Sequence, residues 1–460
     1  MKNTIIKECP DYILAENIET PIALSPNVYL DRLVHLRQRI IDLNLDYVVI
    51  YGDREHFANI EYFTRYDCRF EEALFVFGAD GSRSIVVGNE GEALCGYIPY
   101  EIQVIRYRDF SLQGQPREGS PLITEVFTLL GIQAGMRIGL AGYKYYADKS
   151  WFDVPEYLVR TLRETIGYEN LINFTEELTG LPYGLRMTIR NPEEIAVINY
   201  QTAKVANVMR RLLKAAKPGM TEEELSCYGR IDFAPQQTHS MINFGAESIS
   251  IGIKSPSPFV RLVYGGPMSI AYSQRGSLMC RAAFAADSLQ TVAPELRDCL
   301  ETHITPYWSA VALWYEKLSI GCVGGELYDQ IHNIIRRPSF GFNLNPGHYI
   351  GGDEWVNTEF LHGSKIAVHN GSHIQCDIIA ASSNPVLNAI CEDTVVVADS
   401  GLQAELKAAY LELFQKIEMR RTFMQESLGI DIHPDILPMN EMNAVMFPFM
   451  MNTKLMFAME

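Results

Sequence analysis

A chain of 460 residues, 47% hydrophobic and 21% charged, has enough apolar content for two ordinary domains and too much for a disordered protein. Its net charge of −17 repels phosphate backbones and anionic lipid, so neither nucleic acid nor a membrane surface is an expected partner. Apolar runs such as "VVVA" near 395 and "MFPFMM" near 446 fall far short of the roughly 18 to 20 residues of a membrane span.

In chain order, "YLDRLVHLRQRIIDLNL" carries Leu33, Leu36, Ile40 and Leu43 at helical spacing, and "DYVVIYGD" follows as a short buried strand. "ALFVFGADGSRSIVVGN" predicts a hairpin turning through Ala79, Asp80 and Gly81, with the glycine supplying a positive φ. "RIGLAG" predicts another strand and "VPEYLVRTLRETIG" another helix. These elements make an α/β domain, assigned to residues 1–182. A second domain, 183–460, opens on a strong helix start: Asn191 as cap, Pro192 at the first helical position and Glu194 at the third. Ile195, Ile198, Val205 and Leu212 line one face of this helix, and Pro218-Gly219 ends it. Thr221 and Glu224 form a capping box for the next. Short strands and turns follow from 260, and one long helix is expected from about 403 to 428. The Met- and Phe-rich tail, "MNAVMFPFMMNTKLMFAME", either packs on its own domain or covers a subunit interface. The opening "MKNTIIKECPDY" lacks the apolar core of a signal peptide. Nine cysteines without a CxxC pair suit a reducing compartment, and the expected location is cytoplasmic.

Three segments, "LRMTIRNPEEIAVINYQTAKVANVM", "GHYIGG" and "CEDTVVVADSG", in this order and spacing, resemble the pita-bread superfamily of methionine aminopeptidase, aminopeptidase P, prolidase and creatinase. The resemblance implies an α/β (α+β) fold class: a creatinase-like N-terminal α/β domain followed by a C-terminal pita-bread domain. It also implies a homodimer. Peptidases of this superfamily hold two metal ions through two Asp, one His and two Glu. The resemblance puts Ala271 at the first Asp, Leu278 at the second, His348 at the His, His369 at the first Glu and Glu392 at the last. Ala and Leu offer no bridging oxygen, so a two-ion centre and ordinary metallopeptidase activity are not expected. A lesser alternative is one divalent ion on His348, His369 and Glu392.

Creatinase, within the same superfamily, works without metal through a histidine and guanidinium-gripping carboxylates. Its histidine is expected in "SISIGIKSPSPFVRLVYGG", where Lys254 falls closest and the nearest upstream histidine is His239. Cys280 stands where a guanidinium-pairing Glu is expected, and "CRFEEALF" supplies Phe70 with Glu72 in place of Arg. The expectation is a creatinase-like hydrolase without cofactor, acting on a small, polar, nitrogen-containing molecule. His348 would be its acid or base, Glu392 its orienting carboxylate, Arg281 its anchor for negative charge and Cys280 a thiol activated by the neighbouring Arg. Phe70, Glu72, Lys254, His369 and His373 would bind substrate, with Asp377 close by. Each has a structural reading as well: Arg281 can tie strands together through carbonyls, and Cys280 can be a small buried hydrophobe. Two other functions stay open. One is an Xaa-Pro aminopeptidase or dipeptidase drawing ligands from Asp287, Asp353, Glu354 or Asp377, and the other is a non-catalytic homologue that binds a peptide or metabolite.

Overall fold

The computed structural model describes residues 3–229, 235–336, 340–342 and 344–460. It divides into two compact units, one of residues 24–187 and one of residues 1–23 together with 188–460.

In the first unit a six-stranded sheet runs in the order Gln103–Arg106, Arg83–Val87, Ala73–Gly78, Tyr47–Gly52, Ile138–Ala141, Leu171–Asn173. The Ala73–Gly78 and Arg83–Val87 hairpin is antiparallel, while the outer pairings are parallel. The period of two divides its side chains cleanly. Val48, Ile50, Phe75 and Phe77 pack with Leu33, Leu36 and Ile40 of the helix Pro26–Asp42. Val49, Tyr51, Leu74 and Val76 pack on the other side with Leu158, Leu162 and Ile166 of the helix Glu156–Ile166. Helices on both faces make this an α/β unit.

The second unit differs from the expected partition at its start. Residues 3–23 belong to it because the strand Thr4–Glu8 pairs antiparallel with Leu455–Met459. The helix Pro192–Ala215 begins as its sequence predicts, with the Asn191 side chain accepting from the Glu194 amide. The Thr221–Glu224 capping box also forms, through reciprocal bonds of 3.1 and 2.8 Å. The single helix expected from 403 to 428 is instead two, Ser400–Ala409 and Leu411–Glu426, broken where Tyr410 leaves helical geometry at φ −137° and ψ 60°.

At the heart of this unit the hairpin Pro267–Gln274 and Ser277–Phe284 pairs with the long strand Val386–Val397, which also takes Ser372–Cys376 alongside it. The tail folds inward: Met442, Met446, Phe447, Phe449 and Phe457 are buried, and Phe457 stacks on Trp308. Burial within its own unit accounts for the tail's composition. Among the described residues, no helix is long and apolar enough to cross a membrane.

Candidate functional site

Strand register decides which side chains meet. His348 lies opposite Gln375, and Cys280 lies opposite Glu392. Gly347 allows the first pairing: at φ +131° it passes so close to the next strand that a Cβ there would stand 2.8 Å from the Gln375 carbonyl oxygen. By the two-residue period, His373, Gln375 and Asp377 share one face. Four titratable groups therefore converge. His348 Nε2 lies 3.3 Å from Glu354 Oε1, 3.6 Å from Asp377 Oδ2 and 4.0 Å from Glu392 Oε1. Its Nδ1 faces the Tyr349 carbonyl at 3.1 Å, and since a carbonyl only accepts, Nδ1 carries hydrogen. Trp355 stacks on the imidazole at 4.1 Å between centroids. Gln375 donates from one amide nitrogen to Glu392 Oε1, at 3.0 Å, and to the Leu278 carbonyl, at 2.8 Å.

Burial dominates the electrostatics. Desolvation, then the charges of Asp377 and Glu354, pushes the Glu392 carboxyl well above its usual range. Glu354 is raised first by burial too, with His348 opposing and Asp377 adding to the rise. Burial alone would lower His348, yet the nearby Asp377 and Glu354 carboxylates hold it above its ordinary value. The acids face a cavity of about 950 Å³, lined by Glu354, Trp355, Asp377 and Glu392 at one part and by His332 and Arg336 at another. His348 is fully buried behind the carboxylates.

Several expected site residues lie elsewhere or do other work. Arg281 spends its guanidinium on structure: it donates to both oxygens of Asp393, at 2.8 and 3.0 Å, and to the carbonyls of Cys280, Glu392, Met442 and Val445. It is not available as an anchor for substrate charge. Cys280 is not activated by it, because adjacent strand residues point to opposite faces. Burial, then Glu392, pushes the Cys280 thiol well above its usual range, so it is no nucleophile. Lys254 pairs with the buried carboxylate of Glu222, which also accepts from the Phe244 and Ser257 amides, and this tie fixes a loop.

His369 does not join the cluster. Its ring meets Thr188 Oγ1 at 3.0 Å and the Tyr349 hydroxyl at 3.2 Å. His373 is buried near the cluster, and burial lowers it to about 3 despite a bond to the Gly276 backbone, so it is neutral. Phe70 and Glu72 belong to the 24–187 unit, where Phe70 is half exposed and Glu72 accepts from the Tyr51 hydroxyl at 2.8 Å.

The two-ion centre implied by the sequence resemblance does not fit these residues. Ala271 and Leu278 pack with Cys280, Ala282, Ile350 and Ile390 in an apolar cluster, where two carboxylates would be required. Among the described residues, one group has the spacing to hold a single ion: His348, Glu354 and Glu392, with ligand atoms all within 4.8 Å of one another. Glu354 thus takes the place expected of His369. The sequence signal for it was an acid six residues after the histidine, in "GHYIGGDE".

No protein-family model and no curated protein sequence matches the chain. Solved structures do match. The prolidase from Pyrococcus horikoshii OT3 superposes with a TM-score of 0.62 at 14% identity, covering 80% of this chain and 95% of its own. The X-Pro aminopeptidase from Thermotoga maritima MSB8 gives the same figures: 0.62, 14%, 80% and 95%. The Xaa-Pro dipeptidase from Bacillus anthracis follows at 0.61 and 13%, covering 81% and 96%. The chain therefore has the pita-bread fold, the architecture of these prolidase and X-Pro peptidase structures.

Proposed function

We propose that this chain is a hydrolase that cleaves a C–N bond in a small substrate bearing a positively charged amino group, and that it does so without a two-ion centre. The observation that carries the reading is the convergence of Glu354, Asp377 and Glu392 on buried His348 at the wall of one cavity. With Glu392 holding its proton, the Glu354 and Asp377 carboxylates against one imidazole still make an acid-rich site, which a substrate ammonium completes. Glu392, held protonated by burial and its acidic neighbours, is suited to give a proton to the leaving nitrogen. Asp377 is placed to take one from the attacking water, so the proton count is conserved over the step. His348 positions the acids from behind and does not touch substrate.

The neighbouring folds are those of Xaa-Pro peptidases, which favours a peptide-like substrate over a creatine-like one. Arg336, lining the same cavity, suits a terminal carboxylate. A cytoplasmic homodimer belongs to this reading. A second reading, ligand binding without turnover, is favoured by the commitment of Arg281 to Asp393 and by the inert Cys280 thiol.

The test is release of free amine from Xaa-Pro dipeptides and guanidino compounds, first with chelator and then with added manganese or cobalt. Turnover that survives chelation and falls at least ~100-fold in Glu392→Gln supports the hydrolase. No turnover of any compound under either condition leaves the binding reading.

A further inference from the structure

We infer that the cavity takes an aliphatic primary ammonium: its charged head against Glu354, Asp377 and Glu392, and its hydrocarbon body against the wall formed where the superfamily's two aspartates are expected. The inference rests on the proposed function for the cationic head alone. The wall comes from packing. Met241, Ala271, Leu278, Cys280, Ile379 and Ile390 form one apolar cluster, and all six line the same cavity as the three acids.

The two surfaces are joined by a fixed bridge, the Gln375 amide that donates to both Glu392 and the Leu278 carbonyl, so the apolar wall begins directly beside the acid. Asp377 is 3% exposed and its Oδ1, which has no hydrogen-bond partner, belongs to a side chain lining the cavity. A buried acceptor of this kind calls for a donor from a ligand. Farther along the cavity Ser382 Oγ and Asn388 Oδ1 are likewise buried and unpartnered. They give a longer ligand polar contacts beyond its apolar stretch.

A small hydrophilic cation satisfies the acids and leaves the wall uncovered. An uncharged hydrocarbon covers the wall and leaves the acids unpaired. An alkylammonium does both, and the gain from its body grows with the carbon count.

Calorimetric titration of the full chain with propyl-, pentyl- and heptylammonium tests this. Each added methylene is expected to tighten binding by about fourfold, while pentan-1-ol binds at least ~10-fold more weakly than pentylammonium. Glu354→Gln is expected to weaken pentylammonium by ~10-fold or more. Leu278→Asn should flatten the chain-length series, and Ile379→Thr, at a half-buried position, does the same if Leu278→Asn fails to fold. Equal affinity for the three amines, equal affinity for the alcohol, or no binding overturns the inference. So does tight binding of manganese that excludes pentylammonium, which would make the acids a metal site. If the series holds while no compound is hydrolysed, the inference stands and the hydrolase reading falls; turnover with a flat series does the reverse.

Discussion

At the scale of single residues, the environment of Glu392 is far from water. In the folded chain it keeps its proton to a pH well above its ordinary 4.5, first because it is buried and then because Asp377 and Glu354 oppose its charge. Unfolded, it loses that proton near its ordinary value. Folding therefore takes up a proton above pH 4.5, and the Glu392 contribution turns progressively against the folded state as pH rises. His348 acts in the same direction. Burial would lower it, but Asp377 and Glu354 raise it above 6.5, so the stability from its charged form is complete below that pH and is lost as pH climbs past its elevated value. Above about pH 6.5, where the opposing contribution of neutral His373 is complete, melting temperature should thus slope downward to about pH 8, and Glu392→Gln should flatten the slope. A variant with the wild-type slope would remove Glu392 from the account.

At the scale of elements, capping and register did different amounts of the work. The Asn191 cap is a local bond, made by the 3.2 Å contact from the Glu194 amide, and Asn191→Ala is expected to cost about 1 kcal/mol in urea unfolding. Signals of this range were legible in the sequence: the Asn191 and Thr221 caps and the hairpin through Gly81 all form as their residues require. Glu354 and Asp377 were visible only as acids near the site. Their roles depend on how Ser372–Cys376 registers against Val386–Val397 and on the path from His348 to Glu354, and sequence spacing fixes neither. The assignment of an acid's position to His369 failed for that reason, since His369 precedes the strand and turns to Thr188 and Tyr349. The break at Tyr410 was equally hidden, because "AAYLELF" contains neither Gly nor Pro. Arg281 shows a third kind of limit. Its residue type suits an anion site and an internal tie equally, and only the position of Asp393 and the tail carbonyls decides between them.

At the scale of the whole molecule, the pita-bread fold surrounds a pocket where two positions that the sequence resemblance assigns to carboxylates are aliphatic. Elemental analysis of the protein purified with manganese or cobalt present should find fewer than two tightly held ions per chain, and two would mean that other side chains supply the missing oxygens.

The pairing of Thr4–Glu8 with Leu455–Met459 bears on how such a chain is made. During synthesis residues 24–187 can bury both faces of their sheet before the rest has left the ribosome. The opening strand cannot: its partner, Leu455–Met459, lies far downstream, so it must wait, unpaired, until that strand has been made. The unit that holds the candidate site consequently closes after the 24–187 unit, and its completion is tied to the arrival of Leu455–Met459.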